Sequence, residues 1–269
     1  MTESLTWVPE GVDEELPSAA RIYDYLLGGG HNFAADRQIA EKFATALPGS
    51  RDIARMNRAF LRRAVLFMMS CGVDQFLDVG SGIPTVGNVH EVAQRANPES
   101  RVVYVDVDPV AVSHSKLILE GNSQAVAIQA DLKDPEAILQ HRDTRTLLDF
   151  DRPIGLLMVG VFHFVPEDSD PDRLLARYRE PLASGSYLAL SHFTADTRPA
   201  EMAAMVAVMK NSKDPIYPRS RDRITQLFAG FELLEPGVVS TALWRPDAQT
   251  DLADRPERDQ ILAGVGRKP

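Results

Sequence analysis

Apolar positions follow two different rhythms along the chain, and the change falls near residue 72. Residues 1–17 are polar and read as a loose arm. Pro17, Ser18, Ala19 and Ala20 then open a short helix holding Ile22, Tyr23, Leu26 and Leu27, which Gly28, Gly29 and Gly30 stop. Asn32 is an N-cap for a second helix with Ile39, Phe43 and Leu47 on its inner face, ended by Pro48 and Gly49. Residues 51–69 form the clearest amphipathic helix. Ile53, Met56, Phe60, Ala64 and Phe67 line one stripe, and Arg51, Arg55, Arg58 and Arg62 the opposite one. Gly72 suits its C-terminal cap.

From Gln75 onward, short runs apolar on both faces alternate with helical stretches. The runs are 76–79, 102–107, 125–130, 154–161 and 187–193; the helical stretches between them are 86–96, 110–119, 135–140 and 173–182. Such alternation predicts a parallel sheet covered by helices on both faces. Residues 199–210 and 220–229 are expected helices, 245–260 a polar connection, and 231–234 and 261–265 the last strands. The expectation is a seven-stranded, mostly parallel α/β sheet. An N-terminal helical arm and lid, 1–72, and an α/β domain, 73–269, form one structural unit.

Composition narrows the class. Of 269 residues, 44% are hydrophobic and 25% charged, which excludes wholesale disorder, collagen and coiled coil. A net charge of −9 makes nucleic acid or an anionic membrane a poor default partner. Cys71 is the only cysteine, so no internal disulfide forms. The N-terminus lacks the basic and apolar regions of a signal peptide, and the longest apolar run, 154–162, is too short to span a bilayer. These readings place the protein in the cytoplasm; the oligomeric state is left open.

The strongest chemical signal is FLDVGSGIPTVGNVHEVA, from Phe76. A strand runs into Asp78, then the turn Gly80-Ser81-Gly82, then a helix, so a ligand can sit close to backbone at a strand's carboxyl end. Asp106 ends the next strand, where a carboxylate can accept two hydrogen bonds from a ribose diol; Asp131 ends the third, placed for an adenine edge. A lone Asp in such a place is ordinarily a helix cap. Three along one sheet edge beside a glycine turn favour a nucleoside site. A dinucleotide fingerprint needs a third glycine where Thr85 stands, Pro84 has no N–H for a pyrophosphate, and Asp78 repels phosphate but suits an ammonium group. A phosphate-free adenosyl compound with an amino-acid tail, S-adenosylmethionine, fits better than NAD.

These segments resemble the Rossmann-like S-adenosylmethionine-dependent methyltransferases. More closely, PSAARIYDYLLGGGHNFAADRQIAE, NRAFLRRAV, DVGSGIPT, YVDVDPV, LLMVGVFHFVPED, SYLALSHF and GVGRKP resemble blocks of the actinomycete "S-adenosyl methyltransferase" family, over most of 17–269. Pro84 stands where the wider class has a third glycine. The resemblance implies that Gly80, Ser81 and Gly82 line the methionine part, Asp106 holds the ribose hydroxyls, Val107 packs on adenine, and Asp131 and Leu132 meet the adenine edge.

Tyr23, His31, Asn32, Phe33 and Asp36 cluster around Gly28–Gly30, and such a glycine-hinged segment could fold over the cofactor. Arg58 is a candidate for the cofactor carboxylate, because a guanidinium fork matches it, although the arginine stripe also reads as a solvated face. Gly160 and His163 end the fourth strand, where the transferred methyl would point. His163 is the first candidate base, His192 at the end of the fifth strand the second, and His31 the third; each also reads as a core histidine. No histidine spacing suggests a metal, and the acidic stretch Glu167, Asp168, Asp170 and Asp172 reads as solvated surface rather than a calcium loop.

The expected activity is methyl transfer to a small-molecule acceptor, without nucleic acid, membrane or metal. Three rivals remain: a non-catalytic S-adenosylmethionine-binding protein, an NAD(P)-dependent reductase, and a glycosyltransferase using Asp106, Val107 and Asp108 as a metal–sugar-nucleotide clamp.

Overall fold

The computed structural model describes residues 8–9, 11–84, 87–210, 212–247 and 259–269. Residues 1–7 of the polar arm, Thr85, Val86 at the start of an expected helix, and 248–258 of the polar connection lie outside the described residues.

In chain order the elements are α1 (Ala19–Leu27), α2 (Ala34–Ala46), α3 (Ser50–Ser70), β1 (Gln75–Val79), α4 (Val89–Ala96), β2 (Arg101–Asp106), α5 (Pro109–Ile118) and β3 (Ala125–Gln129). There follow α6 (Pro135–Leu139), α7 (Arg142–Leu147), β4 (Gly155–Val159), α8 (Pro171–Arg179), β5 (Tyr187–Phe193), α9 (Pro199–Met209), α10 (Arg221–Gln226), β6 (Glu232–Leu233), β7 (Val239–Ser240) and β8 (Ile261–Arg267). A 3-10 turn, Phe162–Phe164, follows β4.

The sheet has the order β3-β2-β1-β4-β5-β8-β6, with β7 also paired to β8. β1 to β5 are parallel, while β8 runs antiparallel to β5, β6 and β7. This corrects the expected seven strands to eight. The added strand is β7, two residues long and too short for alternation to show in the sequence; β6 falls within the expected 231–234, and β8 extends past 265 because Arg267 still pairs with Tyr187. α7 was not expected.

Alternate residues of each strand serve opposite faces. Leu77, Val103, Leu156 and Leu188 pack toward Ile138 of α6 and Leu174 of α8. Phe76, Val102, Leu157 and Ala189 pack toward Phe60, Ala64 and Met68 of α3 and Ala93 of α4. α3 therefore covers the sheet itself. The chain order reverses between β1 and β4, which opens a crevice at their carboxyl ends.

Above that crevice α1, α2 and α9 pack on the ends of β5 and β8 through Ile22, Leu26, Phe43, Met205, Phe193 and Ile261. Polar ties fix this roof. Arg21, 3% exposed, places Nε 2.9 Å from Asp36 Oδ2 and Nη1 3.5 Å from Asp108 Oδ2, and also donates to the Leu16 carbonyl. Asp108 meanwhile caps α5 through the Val110 N–H at 2.8 Å. Asp214 accepts from the Ala19 N–H at 2.8 Å, and the Lys213 N–H donates to the Pro17 carbonyl at 2.9 Å.

Candidate active site

A cavity of about 340 Å³ lies between the roof and the carboxyl ends of β1 to β5. That size suits a small molecule. Asp78, Gly80, Ser81 and Gly82 reach it from β1, Asp106 and Val107 from β2, Asp131 and Leu132 from β3, and Gly160 and His163 from β4. Tyr23 of α1 and Arg58 of α3 line it from above.

The β1 turn is closed on itself. Gly80 has φ +74°, and a Cβ there would lie 2.2 Å from Val161 Cγ2, so only glycine fits. The Gly80 and Ser81 N–H groups both donate to the Val105 carbonyl, at 2.8 and 3.0 Å, and the Gly82 N–H donates to Asp106 Oδ2 at 2.7 Å. None of the three is left for a diphosphate.

The carboxylates beside the turn are held out of water. Asp78 is 4% exposed, and among the described residues it accepts no hydrogen bond and forms no ion pair. Burial, helped by the Asp106 charge and opposed by Arg58, pushes its pKa up to about 7. Asp106 is pushed up to about 6, chiefly by burial, against the N–H bonds it receives from Asp108 and Gly82. Asp131 stands at the rim, accepting from the Lys133 N–H at 2.9 Å with Lys133 Nζ 3.5 Å away. Val107 is 39% exposed on the same rim, an apolar side chain presented to the cavity mouth. Arg58 reaches Asn88 Oδ1 with Nη2 at 3.3 Å.

The donor set fits S-adenosylmethionine. A buried carboxylate without an ion pair suits its positive charge, a second carboxylate could accept from a diol, and the N–H groups of Gly80, Ser81 and Gly82 are already bonded.

Three expected contacts of the N-terminal block are absent. Asn32, Phe33 and Asp36 do not line the cavity. Asn32 donates to Asp24 Oδ2 at 2.8 Å and to the Gly29 carbonyl at 3.0 Å. Phe33 packs with Ile83, Val110 and Ala111. Asp36 accepts from the Ser18 and Phe33 N–H groups and pairs with Arg21. Asp24 Oδ2 gathers the His31 N–H and the Asn32 amide, Asp24 Oδ1 is buried without a partner, and a Cβ on Gly29 would fall 1.9 Å from that Oδ1. Tyr23 does reach the cavity. Its hydroxyl donates to the Ala54 carbonyl at 2.9 Å and accepts from Asn57 Nδ2 at 3.3 Å.

The three histidines separate. His163 lines the cavity at 3% exposure, its Nδ1 without a partner, and burial pushes its pKa well below the ordinary value, keeping the ring neutral. His192 does not line it. Nδ1 of His192 donates to the Phe193 carbonyl at 2.7 Å, and Nε2 accepts from Arg219 Nη1 at 2.7 Å. With its lone pair already taken, His192 is not placed to accept a substrate proton. His31 lies outside the cavity, its ring 3.6 Å from that of His114.

Arg219, 6% exposed, also donates to the Val165 carbonyl at 2.8 Å and to Glu167 Oε2 at 2.9 Å. It fixes the loop that carries His163. In the acidic stretch Glu167 and Asp172 pair with Arg223 at 2.6 and 2.7 Å, and Asp170 caps α8 through the Arg173 N–H. Among the described residues no group of three His, Cys, Asp or Glu side chains could hold a metal ion. None of their helices is long and apolar enough to cross a membrane.

Sequence reasoning missed Asn57, Asp214 and Ile216, which also line the cavity. Asn57 offered one signal, a lone amide on the apolar side of α3; it is 2% exposed and accepts from Ser191 Oγ at 2.6 Å.

A family model for S-adenosyl methyltransferases matches residues 5–269. No curated protein matches the chain. The crystal structure of a candidate methyltransferase from Thermobifida fusca YX is 42% identical, with TM-score 0.92 over 98% of this chain and 99% of that one. A DUF574 family protein from Streptomyces avermitilis MA-4680 is 38% identical, with TM-score 0.92 over 96% and 99%. The chain belongs to the S-adenosyl methyltransferase family, with its mixed α/β Rossmann-like fold and S-adenosylmethionine-dependent methyl transfer.

Proposed function

We propose that this cavity brings S-adenosylmethionine and a small-molecule acceptor together, the cofactor along the ends of β1 to β3 and the acceptor over β4 and β5. The observation that carries the reading is the unpaired, buried Asp78 carboxylate beside a turn whose three N–H groups are already bonded. Asp78 holds the ammonium group and Arg58 the carboxylate of the amino-acid tail, along Gly80, Ser81, Gly82 and Gly160. Asp106 accepts from the ribose hydroxyls, Val107 supports the adenine face, and Asp131 and Leu132 meet its edge. When bound, the cofactor supplies a methyl group already activated by the sulfonium charge.

The chain's own work is then placement and proton handling. Holding a nucleophile in line supplies roughly 7–11 kcal/mol. His163 takes the nucleophile's proton, worth about 10²–10⁴-fold in rate. The cytoplasm is the compartment for this reading, in keeping with the exposed free thiol of Cys71. Calorimetric titration tests the proposal. S-adenosylmethionine should bind and NAD should not; NAD binding in place of S-adenosylmethionine would overturn it.

A further inference from the structure

The cavity has two chemically different ends. Its charged side chains pair or interact at the β1–β3 end: Asp78 faces Arg58, Asp106 faces Asp108 and Asp214, and Asp131 faces Lys133. At the β5–β8 end its walls are Leu26, Phe43, Ile53, Phe193, Met209 and Ile216, all members of one apolar cluster. None of these six is more than 8% exposed, so this end is a recess under the roof rather than a groove.

The imidazole of His163 is seated against that wall, 4.4 Å from the Phe164 ring and 4.7 Å from the Phe193 ring. Arg219, whose charge acts on His163, is committed to His192, Glu167 and two carbonyls. The cavity-lining lysines Lys133 and Lys213 face Asp131 and Asp214 at the other end, so a carboxylate in the recess would meet no uncommitted cation. An ammonium ligand in the recess would meet no carboxylate either, because Asp78, Asp106, Asp108, Asp131 and Asp214 all lie toward the β1–β3 end. Burying an unpaired charge there is expensive, whereas apolar ring surface is favoured.

We propose that this recess takes an uncharged, largely apolar ring compound bearing one weakly acidic hydroxyl, a phenol or an enol, which the protein methylates on oxygen. The inference rests on the cofactor reading above. The hydroxyl oxygen forms the bond to the methyl carbon while the carbon–sulfur bond breaks. The electron pair of that bond goes to sulfur, the hydroxyl proton passes to His163, and the positive charge moves from sulfur to the imidazole, so the site gains no net charge.

The test is equilibrium binding of three naphthalene probes to the full chain saturated with S-adenosylhomocysteine: 2-naphthol, 2-naphthoate and 2-naphthylmethylammonium, followed by calorimetry. 2-Naphthol should bind at least tenfold more tightly than either charged probe, and Met209→Glu should weaken it at least tenfold while changing S-adenosylhomocysteine binding less than twofold. A charged probe that binds as well as 2-naphthol to the native chain overturns the inference, as does failure of all three. Failure of S-adenosylhomocysteine itself to bind is a separate result, and it removes the cofactor reading together with this one.

Discussion

Nη1 of Arg219 donates to Nε2 of His192 at 2.7 Å, so two histidines at the ends of neighbouring strands have opposite fates. His192 is locked with both nitrogens engaged, while the His163 ring lines the cavity and its buried Nδ1 makes no hydrogen bond.

His163→Gln should therefore lower kcat by about 10²–10⁴-fold. S-adenosylhomocysteine affinity should change less than twofold. Because burial holds the His163 pKa well below its ordinary value, the native enzyme's kcat should show no acid limb around pH 6.5. Steady-state rates with 2-naphthol over pH 5.5–9 check this, and an unchanged kcat removes His163 from the reaction.

Asp78 makes the free protein sensitive to pH. A carboxyl with a pKa pushed up to about 7 is protonated below that pH, and a cationic ligand needs it ionised. Affinity for S-adenosylmethionine should rise from pH 5.5 to about 8 and then level off, with proton release below pH 7 visible by calorimetry in buffers of different ionisation enthalpy. Stability runs the other way. Between about pH 4 and 7 the folded chain keeps a proton that the unfolded chain has lost, so this group's contribution falls as pH rises through that window. Asp78→Asn should raise the Tm of the free protein at pH 8 and weaken S-adenosylmethionine binding.

Asp106→Ala should weaken S-adenosylmethionine about 10–100-fold, the loss expected for hydrogen bonds to a charged acceptor. It also releases the Gly82 and Asp108 N–H groups. Asp106→Asn keeps an acceptor and should lose less. Unchanged affinity in the alanine variant would falsify the ribose assignment.

Arg21→Met should destabilise the chain by about 3–5 kcal/mol, because Asp36 is left buried without its cation. Adding Asp36→Asn should recover part of that loss. Urea unfolding of both variants measures it, and a cost below about 1 kcal/mol for Arg21→Met would show that the ion pair does not hold the roof.

Much of the sheet was legible because β1 to β5 are buried on both faces and read as continuous apolar runs. The acids at the carboxyl ends of β1, β2 and β3 were legible for the same reason, since a strand's end fixes where its polar side chain lies. Asn32, Phe33 and Asp36 misled. Polar groups beside glycines signal a constraint, but the sequence does not say whether the constraint is a ligand or another residue; here Asp24 and Arg21 supply it. His192 misled in a different way, since its partner Arg219 arrives from a separate loop. The apolar recess was illegible because α1, α2, α3, β5, α9 and a loop each give it one side chain whose sequence signal is that of ordinary core.

Ser18 and Ala19 at the start of α1 line the cavity, as does Leu26 near its other end. That nine-residue rod is stapled to Asp214 at one end and, through Arg21, to the cap of α5. One short rod thus walls both the acidic end of the chamber and its apolar end, and the same two ties hold both walls in place.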